Sequence, residues 1–227
     1  MRSVPRVGGL CGYGAIRTGR NLALTLSVSV APAAAEVTVA ALGDSLTQGY
    51  GLPSAEGFVP QLERWLDDQG AEVEILNAGV SGDTTQGGLS RVDWTLTPDI
   101  DAMIVALGGN DLLRGIDPGV ARANLGGILE AAAESEVPVL LVGMSAPGNY
   151  GPEYKADFDA MYPELAEEYG ALHYPGFLDA LTSQEDRQGA LEMYMQPDGL
   201  HPNAEGVALI VEALGPKVLE LLERVPD

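Results

Sequence analysis

Cysteine occurs once in 227 residues, as Cys11, and histidine only twice, as His173 and His201. One cysteine cannot close an internal disulfide, and two histidines are too few for a histidine-rich zinc site. Cations are scarce too: 12 lysines and arginines face 33 aspartates and glutamates, a formal net charge of −21. That balance disfavours nucleic acid and anionic membranes as partners, because a phosphate polymer requires a basic footprint. The acidic excess reads instead as a heavily solvated surface. No apolar run reaches the length of a membrane span. No repeat, linker or low-complexity block interrupts the chain after Glu36, so one domain is expected there. An apolar fraction of 46% at this length is enough to build a sizeable core.

The first 35 residues have a different character. They carry Arg2, Arg6, Arg17 and Arg20 and no acidic residue. A short apolar run, Leu22 to Val30, is followed by Ala-Pro-Ala-Ala-Ala ahead of Glu36. A basic start, an apolar centre and small residues at Ala33 and Ala35 describe a secretory signal peptide. The alternative is that the Leu22–Val30 run forms an extra strand or core helix. Cleavage after Ala35 would remove Cys11 and exclude thiolate catalysis from the mature chain. The expected organisation is a signal peptide over 1–35 and a domain over 36–227, with a periplasmic or secreted location. No stable membrane insertion is expected after cleavage, and a monomer is expected.

From Val37 onward, apolar strand-like runs alternate with helical patterns. Strands are expected at 37–42, 72–77, 102–107, 137–143 and 171–174. Helices are expected at 57–69, 86–96, 120–134, 154–169 and 202–224. In the first of these helices Phe58, Leu62, Trp65 and Leu66 fall at helical spacing. Strands that alternate with crossover helices imply an α/β fold whose parallel sheet is covered on both faces. Ligands of such sheets bind beyond the carboxyl ends of the strands, near the switch in strand order. The loops after Leu42, Asn77, Leu107, Val142 and Tyr174 are therefore the ones to search.

Gly43-Asp44-Ser45 follows the first strand. A serine hydroxyl is a poor nucleophile until a base takes its proton, and Asp44 or Ser45 could equally cap a helix or turn. The segment is not a Gly-x-Ser-x-Gly elbow, since Thr47 stands where the second glycine belongs. Asp198-Gly-Leu-His201 lies between Pro197 and Pro202. A carboxylate three residues before a histidine can turn back to accept the Nδ1 proton, leaving Nε2 as the base. Pro202 suits the first position of the following helix. The competing reading is a histidine that merely caps that helix. His173 has no aspartate at matching spacing and reads as structural. Gly82 and Asn110, with the Ser45 N–H, can supply donors to an oxyanion, each worth roughly 3 kcal/mol. Taken singly, Gly82 reads as a turn and Asn110 as a cap; together, the elements follow expected strand ends or, for Asp198 and His201, lie in the last loop, so one fold can bring them together.

In this arrangement the chain resembles the GDSL or SGNH hydrolases, named for Ser, Gly, Asn and His blocks. Ser45, Gly82, Asn110 and the Asp198/His201 pair stand in that order. The strings 42–53, 107–111 and 198–203, with Asn149-Tyr-Gly after the fourth strand, resemble a bacterial subgroup of acyl-CoA thioesterases, arylesterases and lysophospholipases. The resemblance implies a flavodoxin-like three-layer α/β/α sandwich with a five-stranded parallel sheet, and no cofactor or metal. It implies catalysis by Ser45, Asp198 and His201 with an oxyanion hole from Ser45, Gly82 and Asn110. The expected substrates are aryl or short-to-medium acyl esters, then acyl thioesters and lysophospholipids. Alternatives are a carbohydrate O-acetyl esterase and a non-catalytic binding module. A flavodoxin-like cofactor protein is disfavoured, because no Gly-rich phosphate loop follows the first strand.

Overall fold

The computed structural model describes residues 37–226, all within one compact unit, Ala35–Asp227, and Gly8 outside it. The expected signal segment, and the alternative strand or helix over 22–30, lie outside the described residues. Five strands form one parallel sheet: β1 (Val37–Gly43), β2 (Val73–Gly79), β3 (Ala102–Ala106), β4 (Val139–Val142) and β5 (Leu172–Tyr174). Their order is β2-β1-β3-β4-β5, the flavodoxin-like arrangement, with the switch between β1 and β3.

Every residue of β3 and β4 is buried, which explains why both read as unbroken apolar runs. Helix α2 (Phe58–Asp68) packs on α9 (Ala204–Leu222) on one side of the sheet. On the other side α3 (Thr85–Thr95), α5 (Pro118–Glu134) and α6 (Pro152–Tyr169) pack in succession. The apolar spacing read from the sequence fixes which face of α2 is hidden: Phe58, Leu62 and Leu66 are fully buried, each contributing about 1.5–3 kcal/mol. Trp65 sits at the layer's edge, where its indole N–H donates to Glu212 at 2.8 Å. The helix starts follow local chemistry. Thr84 caps α3, Asp117 caps α5 ahead of Pro118, and Asn203 caps α9.

Two boundaries correct the sequence reading. Helix α9 begins at Ala204 rather than Pro202, because the Asn203 side chain accepts from the Gly206 N–H at 2.9 Å and takes the cap position. Pro202 instead forms an antiparallel bridge with Met195. Strand β2 runs on to Gly79, since the β1 register continues through Leu42↔Ala78 and Gly43↔Gly79. Short helices absent from the reading are α1 (Ser45–Gln48), α4 (Gly109–Arg114), α7 (Asp179–Thr182) and α8 (Arg187–Tyr194). A 3₁₀ turn spans Ser54–Glu56.

Candidate active site

The site gathers at the switch point, beyond the carboxyl ends of β1, β2 and β3. Ser45 is the first residue of α1, immediately after β1. Asp44, fully buried, is the cap of that helix and accepts from the Leu46 N–H at 3.0 Å. Capping by Gly43-Asp44-Ser45 does not compete with a chemical role for the serine: the cap fixes where the hydroxyl sits. The end of β2 lies close against α1 here, and a Cβ on Gly79 would press into the backbone of Gln48.

His201 lies in the loop before α9. Its Nε2 is 2.8 Å from the Ser45 Oγ, across 156 residues of sequence, and its Nδ1 is 2.7 Å from Asp198 Oδ2. The other carboxylate oxygen, Oδ1, accepts from the Leu200 and His201 backbone N–H groups at 2.9 and 3.1 Å. The His201 hydrogen bond, with the Leu200 N–H, holds the Asp198 pKa down at about 2. An ionised carboxylate only accepts, so Nδ1 carries the imidazole proton and Nε2 is left to accept from the serine hydroxyl. The Tyr50 ring packs against the imidazole with centroids 4.7 Å apart.

Asn110 is the second residue of α4, and the cap of that helix is Gly108, at φ +117°, rather than Asn110. The Asn110 amide donates to Asp44 Oδ2 at 3.2 Å, which orients it beside Ser45. Burial is the dominant influence on Asp44 and raises its pKa to about 6, against the lowering effect of the Leu46 N–H and Asn110. A side chain at Gly108 would collide with the Tyr162 hydroxyl, which donates to the Leu107 carbonyl at 3.0 Å and fixes this turn.

Gly82 adopts φ +80°, a conformation that suits glycine, and its carbonyl accepts from Arg114 at 2.7 Å. Among the described residues neither the Gly82 nor the Ser45 backbone N–H has an acceptor. Ser45, Gly82, Asn110 and His201 all line one cavity of about 350 Å³ whose remaining wall is largely apolar: Leu46, Tyr50, Leu112, Leu113, Met144, Leu178 and Leu200. A buried network ties two of its walls together. Asp111 accepts from the Thr85 N–H and hydroxyl at 2.8 and 2.6 Å, and Asn124 donates to the same hydroxyl at 3.0 Å.

The structure thus brings together all five residues singled out in sequence. His173 lies apart on β5, where burial lowers its pKa, in keeping with a structural residue. Residues the sequence reading missed are Tyr50, Gln196 and Arg91, whose partners are mostly backbone carbonyls or a ring face, with the Asp83 carboxylate for Arg91.

A family model for the GDSL-like lipase/acylhydrolase family matches residues 41–209, from the end of β1 into α9, and takes in the whole site. The chain belongs to this family. Esterase TesA of Pseudomonas aeruginosa is 35% identical over 190 residues, covering 83% of this chain and 91% of the relative. An arylesterase of Vibrio mimicus is 33% identical over 205 residues, covering 89% and 98%. Among solved structures, the SGNH-hydrolase family esterase AlinE4 superposes with a TM-score of 0.66 at 44% identity, covering 83% of this chain and 97% of that one.

Proposed function

We propose that this protein is a serine esterase acting on aryl or short-to-medium acyl esters through Ser45, His201 and Asp198. The observation that carries the reading is the unbroken hydrogen-bonded chain Asp198–His201–Ser45 at the wall of an apolar cavity. Membership of the family, with relatives named esterase and arylesterase, supports carboxylic ester hydrolysis.

In this reading His201 Nε2 takes the Ser45 proton as Oγ attacks the ester carbonyl carbon. Asp198 keeps the imidazole in the required tautomer and stabilises the imidazolium. The Ser45 N–H, Gly82 N–H and Asn110 amide face the oxyanion of the tetrahedral intermediate. His201 returns its proton to the leaving alcohol as the acyl-enzyme forms. Water, deprotonated by His201, then adds to the acyl carbon, and Ser45 leaves with the proton. Leu112, Leu113 and Leu178 favour a hydrophobic acyl or aryl group over a sugar, since the cavity offers few polar contacts beyond the catalytic set. The same chemistry extends to acyl thioesters and lysophospholipids.

Ser45→Ala should lower kcat roughly a thousandfold or more while leaving the unfolding curve in place. A fluorophosphonate should label the unaltered protein stoichiometrically at Ser45. Full turnover by the alanine variant would remove Ser45 from the mechanism. Rates on nitrophenyl esters of rising chain length, beside an acetylated sugar, test the substrate class; preference for the sugar would overturn the aryl and acyl reading. The basic, then apolar, then small-residue N-terminus supports export to the periplasm with cleavage near Ala35. N-terminal sequencing of the exported protein checks the cleavage.

A further inference from the structure

We propose that Gln196 is a positioning residue that sets His201 against Ser45, and this rests on the reading of those two residues as base and nucleophile. Their hydrogen bond joins segments 156 residues apart, and neither segment holds the other through a strand pairing. Something else must fix their register to a fraction of an ångström. Gln196 is placed to do so.

Its side-chain amide donates one hydrogen bond to the Tyr50 carbonyl at 2.8 Å and another to the Pro202 carbonyl at 2.9 Å. Its backbone N–H donates to the His201 carbonyl at 2.7 Å, and its own carbonyl accepts from Gly199 at 2.9 Å. Gln196 therefore grips the base's loop on both sides of His201. On the opposite side the link continues to the nucleophile, because the Tyr50 N–H donates to the Ser45 carbonyl at 3.0 Å.

The path from base to nucleophile is short: His201 and Pro202 to Gln196, Gln196 to Tyr50, Tyr50 to Ser45. Tyr50 adds a second constraint by packing its ring on the imidazole, 4.7 Å between centroids. Gly51 leaves room for the arrangement, since a Cβ there would collide with Gln196 Oε1. A two-donor amide is what two carbonyls on different segments require, and no hydrocarbon or carboxylate can replace it.

The test compares unaltered protein with Gln196→Met, which keeps length and loses both donors, and Gln196→Asn, which keeps the amide but falls short of one carbonyl. Each is assayed for nitrophenyl ester hydrolysis and for the rate of fluorophosphonate labelling, normalised to the sites labelled at completion. Both variants should lose about tenfold in kcat and in labelling rate, with KM within about twofold. Labelling of Gln196→Met at the unaltered rate per site would overturn the proposal while leaving the triad reading intact. Absence of any adduct at Ser45 in the unaltered protein would remove that reading, and the proposal with it.

Discussion

Asp44 combines two demands that oppose each other. Its carboxylate is buried, which disfavours charge, yet its oxygens accept from Leu46 and Asn110, which favours charge. Burial dominates, and the pKa rises from 3.8 to about 6. The folded protein therefore binds this proton more tightly than the unfolded chain does. Below pH 3.8 the group is protonated in both states and carries no penalty; as pH rises through 6 the folded state must hold a buried charge. Asp44→Asn, of the same shape and neutral, should escape that penalty. Its stability relative to the unaltered protein should increase from pH 4 to pH 7.5, by at most about 3 kcal/mol. Urea unfolding at both pH values measures the difference, and parallel profiles would show that Asp44 is not the source. Catalysis should move the other way, with kcat at pH 8 falling about tenfold as the Asn110 amide loses a charged acceptor. Asp198 behaves oppositely: its pKa of about 2 keeps it ionised throughout this range, so it adds no inflection between pH 4 and 8.

Elements meet at this site through side chains that reach across them, and Arg91 of α3 reaches furthest. Its guanidinium donates to the Gly43 carbonyl at 2.9 Å, to the Ala78 carbonyl at 2.7 Å and to Asp83 at 2.8 Å. One cation thus ties the end of β1, the end of β2 and the Gly82 turn to α3. Arg91→Met should destabilise the protein by about 2–3 kcal/mol, since it removes a donor from two carbonyls and the cation paired with a largely buried carboxylate. Arg91→Lys should recover only part, because a single ammonium cannot span three acceptors as a planar fork does. A shift of the urea midpoint at constant slope would measure both; unchanged midpoints would mean the strands hold the turn unaided. Arg91 and Gln196 were illegible in the sequence chiefly because both bind backbone carbonyls, which every residue has and which leave no signature; the Asp83 partner of Arg91 is one carboxylate among 33. Ser45, Gly82 and Asn110 were legible because reactive or conformationally special residue types follow strand ends, and Asp198 and His201 because a carboxylate stands three residues before a histidine in the last loop. Strands β3 and β4 were legible from continuous burial, and α2 from its apolar spacing. Helices α4, α7 and α8 were not, since six, four and eight residues are too few to establish a helical period.

At the scale of the molecule the dominant feature is charge, −21 over the chain, and salt acts on it in two opposing ways. Screening weakens attractive pairs, but those described are mostly exposed: Arg122 with Glu164 and Glu168, Lys155 with Asp159, and Lys217 with Glu220. Each contributes at most about 1 kcal/mol, and often nothing measurable. Screening also weakens repulsion among an excess of carboxylates spread over the whole surface. At about 10 mM salt the screening length is roughly 30 Å, so carboxylates across much of the molecule repel one another; at 0.1 M it is about 10 Å. The unfolded chain spreads the same charges further apart, so repulsion destabilises the folded state more. Repulsion outweighs the exposed pairs, and salt should stabilise. Between about 10 mM and 0.3 M NaCl the Tm should rise by roughly 2–4 °C, the shift expected for about 1 kcal/mol in a chain of this size. Most of the rise should be complete by 0.3 M, because screening saturates; a linear increase continuing to molar salt would point to solute exclusion instead. A Tm that falls over the same range would show that the few ion pairs, Arg91 with Asp83 among them, outweigh the acidic surface.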